Sequence, residues 1–204
     1  MATDKAAIIE SICNAIARDD AVGVAAALKA YPCPKPVNAG RSYSVVEATR
    51  VFVRDGFIDR YSGLRLVNPA VLRVLSNRLP REFPFQKNWK MSETHPAYWE
   101  LVPTIDHLRP VARGGEDVEA NWITTSMLRN AAKANWTVEE LGWTVLPSGD
   151  FSQWDGLTGW LTRYVDEHGT QGQEPYVLEW YKAACKVVAE WSATREPSRP
   201  RLPG

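Results

Sequence analysis

Cysteine is scarce in this chain, and what there is lies far apart. Cys13, Cys33 and Cys185 are the only three in 204 residues, odd in number and never at a Cys-x-x-Cys spacing. That pattern is neither a zinc knuckle nor a redox motif, and it predicts buried or free thiols in a reducing compartment. A basic–apolar–small signal sequence is missing from the start of the chain, and no apolar run approaches membrane-spanning length. These absences together predict a cytoplasmic protein with no membrane association. Charge of one sign is lacking too, since 24 basic residues meet 24 acidic ones. A globally basic nucleic-acid binder is therefore excluded, and any phosphate-binding surface must be local.

The composition is otherwise that of a globule, 45% hydrophobic and 24% charged, with nine tryptophans. The charge is unevenly distributed. Residues 1–40 hold four basic and four acidic groups, residues 41–135 fourteen and ten, and residues 136–204 six and ten. The middle of the chain is thus the basic part, at +4, and the part expected to meet phosphate.

Taken in order, residues 4–30 place Ala6, Ile8, Ile9, Ile12, Ile16 and Ala17 at helical spacing, with Asp19 and Asp20 interrupting before Ala21. This predicts a packing helix pair, closed by a linker of Pro32, Pro34, Pro36 and Asn38 to Gly40. Ser44 to Arg54 reads as a helix with Arg50 and Arg54 outward. Asn68 to Asn77 reads as a second helix, with an Asn cap and a first-turn proline. Arg73, Arg78 and Arg81 either face phosphate or are solvated. Pro84 to Tyr98 is irregular. His95 within it is an extra metal or phosphate ligand or a structural ring, and Trp89 and Trp99 stack on bases or pack the core. Trp154–Tyr164 and Tyr176–Trp191 read as amphipathic helices that cover the core or form a dimer face, and the tail from Thr194 reads as disordered.

The stretch that organises the chain runs from Ile105 to Trp136. Glu100 to Ile105 is mostly apolar and predicts an extended segment ending in Asp106 and His107. Gly114-Gly115 marks a turn, because glycine reaches positive φ without strain. Trp122-Ile123-Thr124-Thr125 suits a strand, and Ser126 suits the cap of a helix from Met127 to about Asn135. If the strands pair and the helix packs on them, Asp106 and Asn130 converge. They offer a carboxylate and an amide oxygen, hard donors suited to one Mg²⁺ or Mn²⁺. His107 then stands beside the ion, free to take a proton from water.

In order and spacing, Asp106, His107, Pro110, Gly114, Gly115, Asn121, Asn130 and Lys133 resemble the ββα-metal core of HNH nucleases, over roughly one sixth of the chain. The resemblance implies an α+β fold, a ββα-metal core embedded in a mostly helical protein. It implies His107 as general base, Asp106 and Asn130 as ligands of one divalent ion, and Asn121 as the residue that ties the loop. Arg109, Arg113, Arg129 and Lys133 are then placed to meet DNA phosphates. Many members of the family hold this core with two Cys-x-x-Cys zinc knuckles. Here the upstream positions are Asp59 and Ser62 and the downstream ones Ser126 and Arg129. No structural zinc is expected, and apolar packing is expected to hold the core instead.

The expected organisation is a helical segment and linker over 1–40, a nuclease core over 41–136, a helical cover or dimerisation region over 137–193 and a tail over 194–204. The expected activity is hydrolysis of DNA by a restriction-type or defence endonuclease, acting as a homodimer if both strands are cut. The alternative is a catalytically silent module on the same core that binds DNA or another protein.

Overall fold

Short polar side chains at helix starts set much of the local structure. A computed structural model describes residues 4–32 and 43–195 of the chain, which divides into two compact units, Met1–Asn38 and Ala39–Gly204. In the first unit, Asp4 accepts the amides of Ala6 and Ala7 to start α1 (Lys5–Ile16). Asp20 accepts that of Gly23 to start α2 (Ala21–Ala30). The expected helix pair is present, and Ala15 is its buried residue. Within the expected linker Pro34, Pro36 and Asn38 to Gly40 lie outside the described residues, as does Cys33. Cys13 and Cys185 are exposed free thiols rather than buried ones.

The second unit mixes helices with a two-stranded antiparallel sheet, an α+β arrangement. Helix α3 (Val45–Arg54) begins with a reciprocal cap: the Glu47 amide donates to Ser44 Oγ, and the Glu47 carboxylate accepts the Ser44 amide. Helix α4 (Pro69–Arg78) starts at the Asn68 cap with Pro69 in its first turn. A single turn, α5 (Ala97–Glu100), then leads into strand β1 (Pro103–His107). The extended segment therefore starts later than its apolar character predicts, because Glu100 is helical. Strand β2 (Trp122–Ser126) pairs with β1 in a register that sets His107 opposite Trp122 and Asp106 opposite Ile123.

Helix α6 (Met127–Lys133) follows β2 directly. The Ser126 hydroxyl accepts the Arg129 amide, and positive φ at Ala134 ends the helix two residues short of the expected end. Short α7 (Val138–Leu141), α8 (Thr158–His168) and α9 (Pro175–Arg195) complete the unit. Helix α8 starts after the predicted Trp154 because Gly156 and Leu157 both take positive φ. A side chain at Gly156 would stand 2.3 Å from the Phe57 ring, so that close approach needs glycine.

Helix α9 covers the core. Its Val177, Trp180, Ala184 and Val187 are buried, and Trp180 stacks on Phe52 of α3 at 6.1 Å between ring centres. Trp89 packs edge-on against Tyr98 and Trp99, which settles it in the aromatic core rather than on a free surface. His95 is likewise used structurally: it stacks on Phe83 at 4.0 Å and its Nδ1 accepts the Ala97 amide. Arg73 pairs with Glu174 at 2.6 Å and lies over Phe85, while Arg78 donates to the Tyr164 hydroxyl. Among the described residues no helix is long and apolar enough to cross a membrane.

What holds the sheet is not apolar packing alone. One edge of β2 faces away from β1 and is met by the turn 55–63, the segment that resembles a zinc knuckle. Asp55, fully buried, accepts the Thr124 amide at 2.8 Å and is flanked by Arg54 and Arg60. The Arg60 amide returns a bond to the Thr124 carbonyl at 2.9 Å. Asp59, 1% exposed, accepts the Ser126 amide and the Thr125 hydroxyl, each at 3.1 Å, with Arg129 Nε at 3.5 Å. Three of the four knuckle positions, Asp59, Ser126 and Arg129, thus form a carboxylate clasp. The expectation of a purely apolar replacement for zinc is corrected accordingly. An unpaired strand edge leaves N–H groups without partners, and these two carboxylates satisfy them.

Candidate active site

The loop between β1 and β2 is shaped by one amide side chain. Asn121 Oδ1 accepts the Arg109 amide at 2.9 Å, and its Nδ2 donates to the carbonyls of Arg109 at 2.9 Å and Glu116 at 2.8 Å. Asn121 thereby ties both ends of the loop. Gly114 turns the chain at φ 78°. Gly115 serves a different end from the expected positive φ: a Cβ there would sit 1.9 Å from the Arg109 carbonyl oxygen, so only glycine lets the two passes of the loop touch.

Neighbours on a strand project to opposite faces, and Asp106 and His107 do so. Asp106 faces α6. Its Oδ1 accepts from Lys133 Nζ at 3.2 Å, while Oδ2 lies 2.9 Å from the same ammonium and accepts the Tyr61 hydroxyl at 2.6 Å. Lys133 is fully buried and donates also to the His107 carbonyl at 2.8 Å. Its expected contact with DNA phosphate is thereby corrected: this ammonium is the internal counter-ion of Asp106. Burial, and then the Asp106 charge, push the Tyr61 hydroxyl well above the usual tyrosine range.

Asn130 lies on the same seam. Its Nδ2 donates to Thr104 Oγ1 and to the Ile105 carbonyl, both at 3.1 Å. Thr104 and Asp106 share a face of β1, so the Asp106 carboxylate and the Asn130 carboxamide belong to one β1–α6 surface. The donor set fits a small hard cation in kind, two oxygens with water completing the shell. Among the described residues no group of three or more His, Cys, Asp or Glu side chains is placed to hold a metal. Any ion here therefore rests on few protein ligands and shares Asp106 with Lys133.

His107 turns to the other face and is packed, 3% exposed, rather than standing open as expected. Its ring lies edge-on to Trp122 at 6.3 Å, and its Nε2 is 2.6 Å from Asp117 Oδ1. Trp122 Nε1 donates to the same carboxylate oxygen at 2.9 Å. Tyr61 and Asp117 are the two contributors that sequence reasoning missed. Tyr61 stood inside an apparent knuckle. Asp117 had one signal, its place four residues before Asn121 in the tied loop.

Arg109 and Arg113 line an open cleft of about 660 Å³ beside this loop, together with Asn121, Thr137 and Glu139. Arg109 Nε donates to the Arg113 carbonyl at 3.2 Å. Arg113 lies 3.4 Å from Glu140 and over the Trp136 ring. Arg129, by contrast, leans on Asp59 and over Trp143, away from the loop arginines in role. Comparisons with protein-family models, with curated proteins and with solved structures find no match for the chain.

Proposed function

We propose that the chain is a metal-dependent endonuclease of the HNH type, cytoplasmic, hydrolysing DNA phosphodiester bonds. The observation that carries this reading is the shared β1–α6 surface of Asp106 and Asn130, with His107 next in sequence and its loop tied by Asn121.

Asp106 and Asn130 would hold one Mg²⁺ or Mn²⁺, and a divalent ion so bound supplies positive charge against the oxygen that leaves phosphorus. His107 takes a proton from the attacking water, in line with the departing 3′ oxygen. Lys133 is the charge partner of Asp106 and fixes the strand end through the His107 carbonyl. Asn121 keeps the loop closed, and Arg109 and Arg113 meet phosphate from the cleft wall, where cations aid both affinity and register. A homodimer would bring two such sites to the two strands of a duplex.

A second reading has its own support. The 3% exposure of His107 and the ion pair between Lys133 and Asp106 suit a silent module that binds DNA without cutting it. Plasmid incubated with Mg²⁺ or Mn²⁺ separates the two. The nuclease reading expects nicked or linear products from the wild type and none from His107→Ala. Binding without cleavage under every metal leaves the module.

A further inference from the structure

The His107 ring has two nitrogens, and only one is taken up by the protein. Nε2 stands 2.6 Å from Asp117 Oδ1 and 3.1 Å from Trp122 Nε1. The indole nitrogen is always a donor, and it also reaches Asp117 Oδ1 at 2.9 Å. A bare Nε2 lone pair against an ionised carboxylate oxygen at that distance would be repulsive. An Nε2–H bond satisfies the contact, and the carboxylate oxygen then accepts from both rings. The proton of neutral His107 therefore sits on Nε2 and the lone pair on Nδ1. Among the described residues, Nδ1 makes no hydrogen bond. Nor is it one of the sealed polar atoms lacking a partner, which are Asn68 Nδ2, Arg73 Nε, Trp99 Nε1 and Thr158 Oγ1. Nδ1 is thus the nitrogen left to accept a proton.

We infer that Asp117 is the positioning residue of the site: it locks His107 in the Nε2–H tautomer, so that Nδ1 is the atom that accepts the proton from water. This rests on the nuclease reading for its catalytic meaning, though not for the pairing itself. Asp117 is held in turn by the loop, because Asn121 Nδ2 fixes the carbonyl of the preceding Glu116. The arrangement makes a sharp statement about removal of the carboxylate. Without it, the Trp122 indole N–H faces Nε2 directly at 3.1 Å and becomes its donor. The ring proton is then displaced to Nδ1, and the base is lost while the imidazole stays in place.

The test is ring-nitrogen NMR on ¹⁵N-histidine-labelled full-length protein, without metal or DNA, at a pH where His107 is neutral, with cleavage kinetics alongside. The wild type should show the Nε2–H tautomer for His107. Asp117→Ala should show Nδ1–H, with kcat lowered on the order of 10- to 100-fold and KM little changed. Asp117→Asn, whose Oδ1 still accepts, should keep the wild-type tautomer and recover part of the rate. The inference is overturned by an Nδ1–H wild type, or by an alanine variant whose tautomer and kcat match the wild type. Failure of the nuclease reading is seen separately, as wild-type protein that cuts nothing, and leaves the tautomer result standing on its own.

Discussion

Asp59 Oδ2 accepts the backbone N–H of Ser126 at 3.1 Å, across a sequence separation of 67 residues. The same side chain accepts the Thr125 hydroxyl and lies beside Arg129, so one buried carboxylate fastens the strand, the helix start and the preceding turn. Asp59→Ala leaves three buried donors, the Tyr61 and Ser126 amides and the Thr125 hydroxyl, without this acceptor, at about 1–3 kcal/mol each. Urea unfolding should show that loss, while treatment of the wild type with a strong zinc chelator should leave its melting temperature unchanged. A chelator-induced drop would mean that a metal, not the carboxylate, fastens this turn.

Lys133→Met strips Asp106 of its buried counter-ion, and breaking a buried pair from one side costs about 3–5 kcal/mol. In EDTA the variant should be destabilised by about that amount. Saturating Mn²⁺ should then restore more stability to the variant than it adds to the wild type, because the freed carboxylate favours the ion. Equal Mn²⁺ effects on both proteins would remove Asp106 from the ligand set.

How much of this was legible beforehand depends on range. The Ser126 cap, the β2 strand and the Asn68–Pro69 helix start are local, decided by side chains within four residues, and were read correctly. The loop contacts of Asn121 are local too, with partners twelve and five residues away in a loop already marked by glycines. The clasp was not legible, since Asp55 and Asp59 meet β2 from 69 and 67 residues upstream and look like ordinary surface acids. Lys133 was misread for the same reason: a lysine on a short helix is usually solvated, and only the packed seam shows its ammonium aimed at Asp106. His107 and Asp106 are adjacent, yet strand alternation gives them different neighbours, Asp117 and Trp122 for His107 and Tyr61 and Lys133 for Asp106.

Loop closure should matter more to rate than to stability. Asn121→Ala removes three hydrogen bonds from a partly exposed loop, at about 0.5–1.5 kcal/mol each after exchange with water. Cleavage should nonetheless fall steeply, because Asp117 and Arg109 lose their shared anchor. Thermal melts and single-turnover rates on the same preparation check the split. A variant with wild-type rate would show that the loop does not shape the site.

At high pH the tyrosines decide. Burial and the Asp106 charge raise Tyr61 above the usual range, and burial raises Tyr176 to about 12. A folded-state value above the unfolded one means that the native state holds its protons longer. The stabilisation is therefore complete below about pH 10 and is lost as pH rises above it. Denaturation midpoints should decline from pH 10 upward, less steeply in Tyr61→Phe. An identical slope in that variant would exclude Tyr61 as a contributor.

The most direct measurement is end-group analysis of an end-labelled duplex incubated with the purified protein and Mg²⁺ or Mn²⁺. The account predicts products with 5′-phosphate and 3′-hydroxyl ends, lost in EDTA and in each of Asp106→Ala, Asn130→Ala and His107→Ala. Intact duplex with every metal, or cleavage that survives His107→Ala, would contradict it.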